Sequence, residues 1–313
     1  MKAALPVIAA AFATALGLTA AGAKETEPAP AAKAGPADVS GVTVTAQKPD
    51  PLVNPASQFV REHLPQSTYS EQYPRFRDPI CVKVIGLPPE FGEFIARRLV
   101  AVANEVHAPV AKDAGCLPNV HVIFTPNPQG QVDDIAKRKD ILIGFHYFSQ
   151  GKKVTVMNRP IQAWYVTRTR DTTGNSWIEV ANSCPSNVIV PSGPCGDRPM
   201  GRPGSRLGND MSAEVVHSLI IADANKVAGQ KIDAVADYIA VLALARWQGL
   251  EKCNAISTVL NMMAEDCADR PEAVTDTDLA LLSGLYSVDP RELGSQQRMS
   301  IAERMAASEK TAK

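Results

Sequence analysis

The residues best equipped for chemistry stand in the second half of the chain. His217, Asp223 and Asp237 are one imidazole and two carboxylates, a set that can hold a divalent metal ion. Zinc bound at about 2.0–2.2 Å by such ligands would activate water for hydrolysis. The structural alternative is a lone strand histidine hydrogen-bonded inside the core. Asp237 and Tyr238 are adjacent and could move a proton in a cleft. Equally, Asp237 caps or pairs, and Tyr238 packs with its hydroxyl in water. His63, His107, His121 and His146 are scattered without ligand spacing. The chain has no G-x-S-x-G elbow, no G-x-x-x-x-G-K phosphate loop and no dinucleotide glycine fingerprint.

The cysteines point to a compartment. Cys81, Cys116, Cys184, Cys195, Cys253 and Cys267 form an even set with no C-x-x-C spacing, which suits disulfides better than zinc. Neighbour pairing, 81 with 116, 184 with 195 and 253 with 267, is the simplest arrangement. Disulfides require an oxidising environment. The N-terminus supplies a route to one. Lys2 precedes a small apolar stretch to Ala21, and Ala21-Gly22-Ala23 fits a leader cleavage site. We therefore expect a signal peptide over residues 1–23 and an exported protein, periplasmic or secreted. After cleavage no transmembrane span is expected. Residues 24–55 are rich in Ala and Pro and read as a disordered spacer. A single globular domain is expected over 56–305, followed by a frayed tail over 306–313.

Hydropathy patterning gives the elements around these residues. Residues 80–85 have strand composition. Gly86-Leu87-Pro88-Pro89 breaks the strand and opens a helix with Ile95, Leu99, Val102 and Val106 on one stripe. Residues 119–125 alternate as a strand, so a right-handed parallel crossover is expected. Residues 154–156 and 163–167 read as strands, and a turn at 171–175 predicts a hairpin return through Trp177. Residues 182–210 form a long loop in which Arg198 and Arg202 supply positive charge. Residues 215–222 are a buried strand carrying His217. Helices are expected over 232–247, over 253–264 and after a cap at Thr275. The fold class is α+β: a mixed sheet packed on helices, with a helical C-terminal third and disulfide staples.

This layout resembles zincin peptidases, with strand, helix, several strands and then a long apolar helix after the last strand. The segment from Val274 to Tyr286 is similar to the closing helix of matrixin-like metzincins, where an acidic cap precedes an apolar helix. Met262-Met263 is similar to the methionine turn beneath metzincin zinc sites, or is plain packing. The domain also looks like a group of exported bacterial proteins of unknown function that keep this frame without its motif. Metzincins carry H-E-x-x-H on the long helix, which puts two imidazoles on one face. Here Asp237 stands at the first His, Tyr238 at the Glu and Val241 at the second His. Valine cannot ligate a metal.

The resemblance therefore implies a non-catalytic binding protein with no metal and no cofactor. Its partner would be a protein, peptide or glycan of the cell envelope. The surface expected to bind it is framed by Trp164, Tyr165 and the 182–210 loop. A divergent metal hydrolase using His217, Asp223 and Asp237, or a structural envelope component, are the alternatives. With 32 basic and 33 acidic residues the chain lacks the positive excess of a nucleic-acid binder.

Overall fold

The computed structural model describes residues 53–113, 115–138, 140–144, 151–179 and 210–311. The leader, nearly all of the spacer, His146, Cys184, Cys195, Arg198 and Arg202 lie outside the described residues.

The strands are β1 (Arg75–Phe76), β2 (Val82–Ile85), β3 (Val120–Thr125), β4 (Ile161–Asp171), β5 (Ser176–Ile178) and β6 (Met211–Asp223). The helices are α1 (Val53–His63), α2 (Pro89–Glu105), α3 (Pro128–Arg138), α4 (Gly151–Val154), α5 (Ala224–Val227), α6 (Ile232–Leu244), α7 (Asp276–Ser287) and α8 (Gly294–Thr311). The sheet runs β2-β3-β6-β4-β5, and β1 also pairs with β6. β2, β3 and β6 are parallel, whereas β4 runs antiparallel to both β6 and β5. The sheet is thus mixed and helices follow it, with α7 and α8 filling the C-terminal part.

The local signals explain the elements they mark. β3 alternates buried and half-buried residues, as a strand with one face on each layer must. α2 opens on Pro89 and buries Ile95, Leu99, Val102 and Ala103 against the sheet. Gly86 between β2 and α2 has φ +89°, and a Cβ there would lie 2.0 Å from the Phe124 carbonyl oxygen, so only glycine closes that turn. Thr275 caps α7 by accepting from the Asp278 N–H, and Asp278 accepts from the Thr275 N–H in return.

The main core lies between one face of the sheet and α2, α6 and α7, and it continues to α1 and α8. A smaller core on the other face joins Val132, Ile143, Trp164, Leu219 and Ile221. Disulfides Cys81–Cys116 and Cys253–Cys267 close loops of 35 and 14 residues. The shorter constrains the unfolded chain by about 3 kcal/mol.

Four local expectations are corrected. Residues 154–156 are not a strand; α4 ends there. Residues 253–264 do not form a helix but a disulfide-closed loop with a 3-10 turn at Val259–Met263. The cause is side-chain competition for the backbone. Asn261 accepts from the Asn254 N–H at 2.9 Å and donates to the Asn254 and Ile256 carbonyls. At the domain's start, α1 begins at Val53, inside the expected spacer, and buries Val53, Ala56, Phe59 and Val60. At its end, α8 runs through the expected tail to Thr311, with Ala306 buried.

Candidate functional site

α6 carries Asp237, Tyr238 and Val241. Every residue from Ala234 to Leu244 is buried. Asp237 is 3% exposed and has no oxygen to spare. Its Oδ1 accepts from Arg98 Nε, and its Oδ2 accepts from Arg98 Nη2 at 3.1 Å and from the Val274 N–H at 2.9 Å. The carboxylate thus bolts α2, α6 and the approach to α7 together, a bidentate pair closed by a backbone donor. The hydrogen bonds from Arg98 to this carboxylate, and then its charge, hold the guanidinium above its ordinary value. Tyr238, the next residue of α6, is 1% exposed, and burial pushes its phenol up. Val241 is fully buried in the main core. The 3-10 turn carrying Met262 packs against α6.

The three residues that could have formed a metal set do not meet. His217 shares its sheet face with Leu219 and Ile221, which belong to the smaller core; Ser218 and Ile220 face the other way, and Ser218 Oγ donates to the Ala243 carbonyl of α6 at 3.1 Å. The sheet therefore separates His217 from Asp237. Asp223 caps α5 by accepting from the Asn225 N–H at 3.0 Å. Among the described residues no group of three or more His, Cys, Asp or Glu side chains could hold a metal ion.

Trp164 and Tyr165 are also interior residues. Trp164 belongs to the smaller core and its indole N–H donates to the Val154 carbonyl at 2.5 Å. Tyr165 points to the opposite face, where its hydroxyl donates to the Leu242 carbonyl at 2.7 Å. At 4% and 6% exposure, neither ring offers a surface. Strand alternation explains the outcome: adjacent residues on a strand covered on both faces are buried in different layers.

What the sequence did not reveal is a histidine pair. His121 Nδ1 and His217 Nε2 are 2.8 Å apart, with ring centroids at 5.0 Å and planes 31° apart. β3 and β6 pair so that His121 sits opposite Leu219, which places His217 diagonally beside it on the same face. His217 Nδ1 is buried without a partner. A buried acceptor is left unpaired more readily than a buried N–H, so His217 carries its proton on Nε2 and donates it to His121 Nδ1. Burial first, and the neighbouring His121 second, hold the His217 ring down to about 4, so it is neutral near pH 7. The signal was present as two histidines on separate predicted strands. Nothing in the sequence says that those strands are neighbours.

A second polar cluster surrounds Glu214, which is 2% exposed. Its carboxylate takes Arg168 Nε at 2.6 Å and Arg170 Nε at 3.1 Å, with Arg77 Nε at 3.8 Å. Arg168 also reaches Asp78 at 2.6 Å. A cavity of about 420 Å³ lies alongside, lined by Arg77, Arg170, Asp210 and Arg291 among others. Because the acids already neutralise the guanidinium groups, the cluster reads as an ion-pair network that holds the far end of β4 to β6.

Among the described residues no helix is long and apolar enough to cross a membrane. The chain matches no protein-family model, no curated protein and no solved structure.

Proposed function

We propose that this chain is an exported, non-catalytic binding protein built on a zincin-like frame. The order β2, α2, β3, β4, β6, α6 agrees with the layout that suggested the resemblance. So do the methionine-bearing turn against α6 and the capped α7. The observation that carries the reading is the state of Asp237. The one residue of the helix motif that could ligate a metal spends both oxygens on Arg98 and Val274. With Val241 in the core and Tyr238 covered, this helix is a packing element and offers neither a metal seat nor a base.

Metal analysis of the oxidised protein, purified without chelators and assayed with a mixed peptide library, tests the reading. Substoichiometric metal and intact peptides are expected. One tightly held metal ion per chain, required for cleavage, would overturn it.

A further inference from the structure

β2 is an edge of the sheet, and its outer side is open. The Asn119 and Val120 N–H groups donate to the Cys81 carbonyl at 3.0 Å, so the backbone of Cys81, Lys83 and Ile85 serves β3. Backbone groups alternate along a strand, and those of Val82 and Val84 therefore point away from β3. Ile80 shows the same outward direction. It donates to the Pro109 carbonyl at 2.9 Å and accepts from the Ala111 N–H at 3.0 Å. A stretch of the chain itself thus lies parallel to the edge at Ile80. Among the described residues nothing continues that lane past Ala111, and the outward N–H and C=O groups of Val82 and Val84 meet no protein partner.

The side chains leave this edge accessible. Val82 and Val84 are half-buried and pack on the main core beneath α2. On the other face Lys83 is exposed and Ile85 is 45% exposed. Leu117, 90% exposed, follows Cys116, which a disulfide ties to Cys81 at the head of the strand. Lys83 makes no ion pair among the described residues. The disulfide and the Gly86 turn hold the two ends of β2, so the edge is set before anything binds.

Charge decides what fits. In a two-fold antiparallel pairing that uses both valines of each copy, Lys83 would stand opposite Lys83 of the second copy. Like charges directly opposite destabilise a sheet, and an edge lysine guards against such pairing. The same lysine attracts a carboxylate. We propose that the open edge of β2 takes an extended peptide as an added strand, with an acidic side chain of the peptide opposite Lys83 and an apolar one two residues along, beside Ile85. The inference rests on the binding-protein reading and deepens it by naming the face and the ligand's chemistry. Backbone hydrogen bonds to Val82 and Val84 supply the affinity, and Lys83 selects the peptide.

The test uses the full oxidised chain labelled with ¹⁵N and the blocked peptide Thr-Ile-Thr-Glu-Thr-Ile-Thr, which presents the same side chains in either strand direction. A second peptide carries Lys in place of Glu. The Glu peptide should shift the Val82 and Val84 amide signals saturably and slow their exchange with deuterated solvent. The Lys peptide should bind about fivefold more weakly, the scale of a cross-strand charge pair. Lys83→Glu, a change at an exposed side chain, should keep the fold and reverse the preference. The proposal is overturned if neither peptide moves the Val82 and Val84 signals, or if Lys83→Glu leaves the preference as it was. It is also overturned if those signals move with protein concentration alone, which would put a second copy on the edge. Metal content and recovery of intact peptide are read in the same sample. A required metal or a cleaved peptide would sink the non-catalytic reading, whereas the amide signals alone decide the strand addition.

Discussion

The two faces of one sheet are built on different terms. Toward α2, α6 and α7 the sheet is sealed by long helices, and the polar side chains there are paired. Asp237 has Arg98 and Val274; Asp278 has Thr258, Val259 and Thr275. Toward α3 the buried cluster is small, and beside it sits an imidazole pair with one nitrogen left without a partner. The first face is given to packing, and the buried imidazole nitrogen without a partner lies on the second, at His217. The difference teaches that a buried carboxylate secures a helix when every oxygen has a donor: α6, which carries Asp237, is buried from Ala234 to Leu244.

The contrast can be broken most directly at α6. Leu242→Ala should cost about 2–5 kcal/mol, because a fully buried leucine leaves a cavity that tight packing cannot close. Denaturant unfolding with the disulfides intact measures it, and a cost below that of an ordinary surface change would mean that α6 is not the keystone. Next, Asp237→Ala should cost about 3 kcal/mol by stranding Arg98 and the Val274 N–H. If Asp237 were instead a metal ligand, added zinc would stabilise the parent but not the variant.

The other face responds to acid. The His217 ring titrates near 4 in the fold and near 6.5 when unfolded, so between these values the unfolded chain binds more protons. Stability from this ring is complete above about pH 6.5 and is lost as pH falls toward 4. The loss should approach about 2 kcal/mol, less than the full shift because the ring keeps some contact with solvent. His217→Leu should flatten that part of the stability profile, and an unchanged profile would remove the pair from the comparison. Smallest of all, Val132→Ala in the minor cluster should cost about 1.6 kcal/mol, the loss of two methyl groups from a small core. A cost equal to that of Leu242→Ala would erase the distinction between the faces.

The sequence was legible where a signal is local. The Pro-opened α2, the alternation of β3, the turn before β5 and the Thr275 cap each depend on residues a few positions apart. Two disulfides followed from pairing cysteines that are consecutive in the sequence, 35 and 14 residues apart. Legibility failed where a partner lies far along the chain. Asp237 is read as a ligand, a cap or a pair until Arg98, 139 residues away, is seen to claim it. His121 and His217 are 96 residues apart, and only the adjacency of β3 and β6 unites them. Burial of Trp164 and Tyr165 depends on layers on both sides of β4, which no pattern within β4 encodes. The false helix at 253–264 shows the reverse error, in which an apolar run was given a regular period although its asparagines prefer the backbone.

The strand order sets a timetable for synthesis. β6 is the last strand made, yet it lies in the middle of the sheet, between β3 and β4, and it also receives β1. Until residue 223 has left the ribosome, the earlier strands have no central partner, and the first half of the chain cannot complete a domain on its own. A polypeptide of this design stays open while it is being made and closes late. A fragment ending before β6 should remain soluble only with help.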